Sequence, residues 1–114
     1  MLADATLTIA SNAVVAAITH AQLHSGARGA AGTTNAIGTR VAFAGSVDGD
    51  GDITWTGPFN FTGLGASTAV QEISFWSASS GGTYRGGGTL TGDATANAAG
   101  EYTVTSWVEN LTSA

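Results

Sequence analysis

Three carboxylates spaced two residues apart, Asp48, Asp50 and Asp52, are the densest set of potential ligands in the chain. Their spacing resembles the opening of an EF-hand calcium loop, where alternate side-chain oxygens converge on one ion. The pattern then departs from that loop. Ile53 stands at the sixth position, where glycine makes the turn, and Phe59 at the twelfth, where a bidentate glutamate completes the shell. Asp48-Gly49-Asp50-Gly51 therefore reads as a hairpin turn between Phe43 and Ile53. No metal site is assigned, and weak loop-type calcium binding is the alternative.

The remaining candidates for chemistry are sparser. His20 and His24 would share a helix face, but their stretch alternates like a strand, and neither a third ligand nor an HExxH pattern accompanies them. They read as surface or partly buried polar residues. Ser46 follows Gly45 and Ser67 lies near Gly65, yet no serine sits in a Gly-x-Ser-x-Gly elbow, and no catalytic residue is assigned. Gly86-Gly87-Gly88 lacks the Gly-Lys-Ser/Thr ending of a phosphate loop, so it reads as a bulge or a close backbone approach. Without a surviving set of acid, base and nucleophile, the chain reads as non-enzymatic with no cofactor. Asn60-Phe61-Thr62 and Asn110-Leu111-Thr112 match the glycosylation sequon, but five Asn and 27 Ser/Thr in 114 residues give about one match by chance.

The elements that would position these residues are short. Gly and Asn/Asp clusters cut the chain into stretches of period 2, the pattern of one all-β antiparallel sandwich or jelly-roll-like domain over residues 1–114. One short N-terminal helix is expected, capped by Ser11 or Asn12 and running one or two turns from Ala13. Ala21 and Leu23 then alternate with His20, Gln22 and His24, before a long aperiodic loop from Gly26 to Gly38. Val41 and Phe43 face one way, as do Ile53 with Trp55 and, beyond the Gly57-Pro58 break, Phe59 with Phe61. In the strand Thr68 to Ser77, Ile73 and Phe75 face inward and Trp76 stands opposite. Tyr84 and Leu90 share a face of the next strand. In the last, from Glu101 to Leu111, Tyr102, Val104 and Val108 share a side with Trp107 across from them.

Composition narrows the partners. Charged residues are 10% of the chain, and 21 Ala, 17 Gly, 17 Thr and 10 Ser make up more than half of it. The cations are Arg28, Arg40 and Arg85 against eight carboxylates, a net charge of -5. Three scattered arginines cannot track a phosphate backbone or an anionic membrane, so neither nucleic acid nor membrane is an expected partner. With no cysteine there is no disulfide framework or thiolate metal site. Residues 5–27 carry no Lys, Arg, Asp or Glu, the positive n-region of a signal peptide is missing, and the apolar run Ala13 to Ile18 is too short to span a bilayer.

The order of motifs carries a resemblance. His20-Ala21-Gln22-Leu23-His24-Ser25-Gly26, Gly32-Thr33-Thr34-Asn35 and Arg40-Val41-Ala42-Phe43 are followed by Ile73-Ser74-Phe75-Trp76-Ser77-Ala78-Ser79-Ser80-Gly81-Gly82-Thr83-Tyr84 and by Gly87-Gly88-Thr89-Leu90-Thr91-Gly92-Asp93. Over roughly Ala3 to Val108 this resembles a family of small bacteriophage virion proteins described as tail-fibre, minor tail or capsid-associated. Gly26-Ala27-Arg28-Gly29 replaces the family's Asp-Pro-Gly turn, and Ser77 stands where an acidic residue often follows the tryptophan. The resemblance implies a virion structural protein, a capsid decoration or minor capsid protein, with a tail-fibre or minor tail protein as the alternative. The implied partners are the phage major capsid protein or tail proteins.

Tryptophans on both faces of two strands mean that the sheet is covered twice or waits for a partner. In so small a chain the partner is the expectation, and Trp76, Trp107, Tyr84 and Arg85 are the expected interface of a homo-oligomer, a trimer if it occupies threefold lattice positions. The competing class is a carbohydrate-binding domain recognising host surface glycans, with Trp55, Trp76, Trp107, Tyr84 and Tyr102 as a stacking platform.

Overall fold

A computed structural model of the chain describes residues 2–91 and 95–110. Helix α1 (Asp4–Ala17) is followed by strands β1 (His20–His24), β2 (Ala36–Ala42), β3 (Ser46–Val47), β4 (Asp52–Phe61), β5 (Glu72–Trp76), β6 (Tyr84–Thr89) and β7 (Tyr102–Asn110). They build two antiparallel sheets, β2-β1-β5-β6 and β3-β4-β7. This is the all-β sandwich with one N-terminal helix that the alternation predicts. Gly92 and Asp93 of the last quoted motif, and Leu111 and Thr112 of the second sequon, lie outside the described residues.

The inner faces of the sheets meet in an aromatic column. Phe43 lies 5.4 Å from both Trp55 and Phe75, the latter two lie 5.8 Å apart, and all three rings are stacked within 17°. Phe59 tilts against Phe43 at 4.5 Å. Ala21, Leu23, Ile53, Phe61, Val70 and Ile73 complete the buried layer. A chain so rich in Ala, Gly and Thr concentrates its apolar burial in these few large side chains. The indole N–H of Trp55 is buried without an acceptor. It faces Gly45, where a Cβ would lie 2.7 Å from it.

The helix is longer than its apolar run. It begins at Asp4, whose carboxylate complements the N-terminal end of the dipole. Neither Ser11 nor Asn12 caps it. Ser11 is buried and donates its hydroxyl to the Gly51 carbonyl, while Leu7 packs on Gly51 (φ +87°). These two residues anchor α1 on the β3–β4 turn, a tertiary contact that extends the helix beyond what a local cap signals.

Two departures on the sheets share a cause. Gly57-Pro58 does not break the chain but forms a bulge within β4, which shifts its register on β7 from Trp55↔Trp107 and Thr56↔Ser106 to Phe59↔Val104. Val104 and Trp107 therefore both turn inward, and Val108 is 54% exposed, the reverse of the alternation expected for β7. In the β5–β6 pair the register shifts between Phe75 and Trp76, opposite Gly86 (φ +121°). Tyr84 consequently packs on the outer face against Trp76, whereas Leu90 packs on the core, so the two do not share a face.

Two of the three glycines of β6, Gly87 and Gly88, are a close approach, whereas Gly86 faces open space. A Cβ on Gly87 would lie 2.1 Å from the Ile73 carbonyl oxygen, and one on Gly88 would lie 2.6 Å from the Trp107 ring.

Candidate interaction surface

Trp76 is buried at 5% exposure, on the outer face of the β2-β1-β5-β6 sheet. What covers it is the chain itself. The Arg40 guanidinium sits 3.8 Å above the ring and is held there by donating to the carbonyls of Ala78 and Gly81. Tyr84 packs alongside at 5.5 Å, and Gly32 of the long loop lies against the Tyr84 ring, where a Cβ would come within 2.3 Å. The loop between β1 and β2 thus forms a partial third layer, and the outward tryptophan expected to await a partner is covered from within.

A polar network fastens that loop. Arg28 pairs with Glu72 at 2.6 Å, and its Nε donates to the Tyr84 hydroxyl at 2.8 Å. The Arg28 backbone N–H also donates to Glu72, and this bond, ahead of the guanidinium, holds the carboxyl below its ordinary range. His24 is fully buried, not a surface residue. Its Nδ1–H donates to the Thr34 carbonyl at 2.8 Å, because a carbonyl only accepts. Nε2 then accepts from the Ser74 hydroxyl at 2.7 Å, and the Ser74 oxygen accepts from the Trp76 indole N–H at 2.8 Å. Burial holds the imidazole below its usual pKa. Ser74 and His24 have nucleophile-and-base spacing, but both are at 0% exposure, so the hydroxyl meets no solvent.

Asp48, Asp50 and Asp52 do converge, their carboxylate oxygens lying within 4.8 Å of one another. Asp48 Oδ1 accepts from the backbone N–H groups of Asp50 and Asp52 at 2.9 and 3.0 Å, the hydrogen bonding of a hairpin turn between β3 and β4. Asp52 is held above its ordinary pKa by desolvation and by the two neighbouring carboxylates.

The expected interface residues divide. Tyr84 is half-buried under the loop. Trp107 is half-buried edge-on to Phe75 at 5.6 Å, with its indole N–H donating to Glu109. With Trp55 and Trp76 buried as well, the five rings form no shared platform for sugars. Arg85 is exposed and makes no hydrogen bond or ion pair with another described residue.

Arg85 marks a surface that alternation along the strands did not reveal. With Ala13, Val14, Ala17 and Ile18 of the helix end it lines a groove of about 260 Å³. A neighbouring groove of about 290 Å³, which Arg85 also lines, runs inward along Val14 and Ile18 toward Phe75, with Glu109 at its wall. The helix continues this surface outward: Ile9, Ala13 and Ala17 stand four apart on one face, and Ile9 is 71% exposed, with Leu2 at 53%. Within α1 the sole charged residue is Asp4. The result is an uncharged apolar strip ending at a guanidinium that has no partner among the described residues. No helix among the described residues is long and apolar enough to cross a membrane.

Comparison with family models, curated proteins and solved structures finds no match to this chain.

Proposed function

We propose that the chain is a non-enzymatic bacteriophage virion structural protein that binds the particle surface in many copies, as a capsid decoration or minor capsid protein. The observation that carries this reading is the apolar strip of α1, with Ile9 71% exposed and Arg85, without a partner among the described residues, at the end of the groove. A helix of this kind in a freestanding monomer would present charge to water; here it presents isoleucine and alanine, with the uncharged Thr6 and Asn12 beside them. A major capsid protein or a second copy of the chain that offered an apolar ridge with a carboxylate beside it would fill the groove and pair Arg85.

The rest of the molecule supports the same reading. Few charges, no lysine and a tightly self-covered sandwich suit a subunit whose small contacts are repeated over a lattice, where avidity compensates for a modest individual interface. The order of virion-like motifs from His20 to Leu90 adds the particle context. A tail-fibre or minor tail position would use the same strip.

The test is the abundance of this chain relative to the major capsid protein in purified particles, measured by quantitative mass spectrometry. Near-equal copy number supports the decoration role. A small fraction of it moves the chain to the tail, and absence from the particle overturns the virion reading.

A further inference from the structure

A cleft larger than either groove beside α1 lies away from the helix, at the end of β4 and β7 where Phe61 pairs with Tyr102. Its volume is about 500 Å³, within the roughly 300–1,000 Å³ range of small-ligand sites. Its lining is unlike that of the α1 groove. Among the described residues it is lined by Thr and Asn, one carboxylate and two aromatic residues, with no lysine, arginine or histidine.

Two of its polar groups are set in place by hydrogen bonds. Thr103 donates its hydroxyl to Asn60 Oδ1 at 2.9 Å, which fixes the amide so that its NH₂ is the group left to donate. Asn97 is pinned by accepting from the backbone N–H groups of Ala99 and Glu101, and its own amide donates to Glu101 Oε1 at 3.3 Å. The carboxylate is thereby oriented, with Oε2 left to accept. The half-buried Tyr102 and the buried Phe61 supply the apolar part of the lining.

We infer that this cleft binds a neutral saccharide, with Asn60 donating to a ring hydroxyl, Glu101 accepting from another and Tyr102 meeting the C–H face of the sugar. A carboxylate with no cation beside it repels phosphate, sulfate or uronic acid, whereas a neutral polyol gives it the hydroxyl donors it lacks. Oriented amide and carboxylate groups reduce the ordering cost of binding. This site is separate from the α1 strip and stands whether or not the chain is a virion protein.

The test is a titration of the full chain with lactose, cellobiose, chitobiose and maltotriose, each into the millimolar range, followed by backbone amide NMR shifts. The expected result is saturable shifts, for at least one sugar, confined to residues 60–62 and 97–103. Asn60→Ala and Glu101→Ala should each weaken that binding about tenfold, while Ile9→Asp leaves it unchanged. Asn60 and Glu101 are exposed, so both variants should keep the amide spectrum of the folded chain, and a variant that loses it is replaced by Asn60→Asp or Glu101→Gln. Absence of saturable shifts with all four sugars overturns the inference, as does binding that the cleft variants leave unaltered.

Discussion

The guanidinium carbon of Arg40 lies 3.8 Å above the ring of Trp76, and the same guanidinium donates to the carbonyls of Ala78 and Gly81. One side chain thus caps an aromatic residue and ties down the turn between β5 and β6. A tryptophan that strand alternation places on the outside of the sheet becomes part of a second, smaller interior.

Trp76→Ala is accordingly expected to act on the fold. Emptying a site at 5% exposure and removing the indole N–H that donates to the Ser74 oxygen should cost about 3–5 kcal/mol. Arg40→Ala should cost less, about 1–2 kcal/mol, since it removes a cation–π contact and two hydrogen bonds at a partly solvated position. Urea unfolding of both variants checks the order. A Trp76→Ala protein with an unchanged midpoint would mean that the ring is not interior.

Gly88 and Trp107 form the corresponding contact between the sheets. A Cβ at Gly88 would come 2.6 Å from Cη2 and Cζ2 of the indole, atoms that phenylalanine lacks. Gly88→Ala should therefore destabilise by about 1–3 kcal/mol in the native background. In a Trp107→Phe background the same substitution should cost distinctly less, a coupling read from a double-mutant cycle. Equal costs in both backgrounds would place the strain elsewhere.

Stability should fall as the solution is acidified, in two stages. Buried His24 has its pKa lowered from 6.5, first by desolvation, so the unfolded chain binds its proton before the folded one does. The loss begins as pH drops below about 6.5 and continues until the folded imidazole is itself protonated. Glu72, depressed from 4.5 by the Arg28 backbone N–H and guanidinium, contributes stability that is present above that value and lost as pH falls through its folded pKa. Unfolding midpoints measured across this range should show both stages, and His24→Gln should flatten the upper one while Glu72→Gln leaves it in place.

How far these features were legible from sequence depends on the range of the interactions involved. The core was readable because Ala21, Leu23, Ile53, Trp55, Phe59, Phe61, Ile73 and Phe75 alternate within their strands, and each is buried. The Asp48–Asp52 turn was readable because its hydrogen bonds are local. Trp107 lies on the side opposite to the one its alternation predicts because a bulge at Gly57-Pro58, some fifty residues earlier, resets the face of β7. The cover over Trp76 was hidden for a related reason: Arg40 and Gly32 belong to segments remote from it in sequence and give no periodic signal. His24 ends a strand that shows His20 and Gln22 half-buried, and only the loop folding back at Thr34 encloses it. The α1 strip has no local signal in the sequence, because a start at Asp4 rests on the contacts of Leu7 and Ser11 with Gly51.

That strip yields the prediction that separates docking from folding. Ile9 is 71% exposed, and Arg85 has no partner among the described residues, so neither contributes much to the stability of the isolated chain. Ile9→Asp and Arg85→Glu should each shift the unfolding free energy by no more than about 0.5 kcal/mol. On a surface that buries the strip, Ile9→Asp places an unpaired carboxylate in an apolar contact, and Arg85→Glu reverses the one positive charge that lines the groove. Both should weaken self-association, measured by analytical ultracentrifugation, or occupancy on purified particles, by tenfold or more, about 1.4 kcal/mol. Trp76→Ala provides the contrast, since it should lower stability first and lose association only as a consequence of unfolding. If Ile9→Asp and Arg85→Glu leave association and occupancy at the native level while the fold is intact, the strip is not the docking surface and the assembly reading loses the observation that carries it.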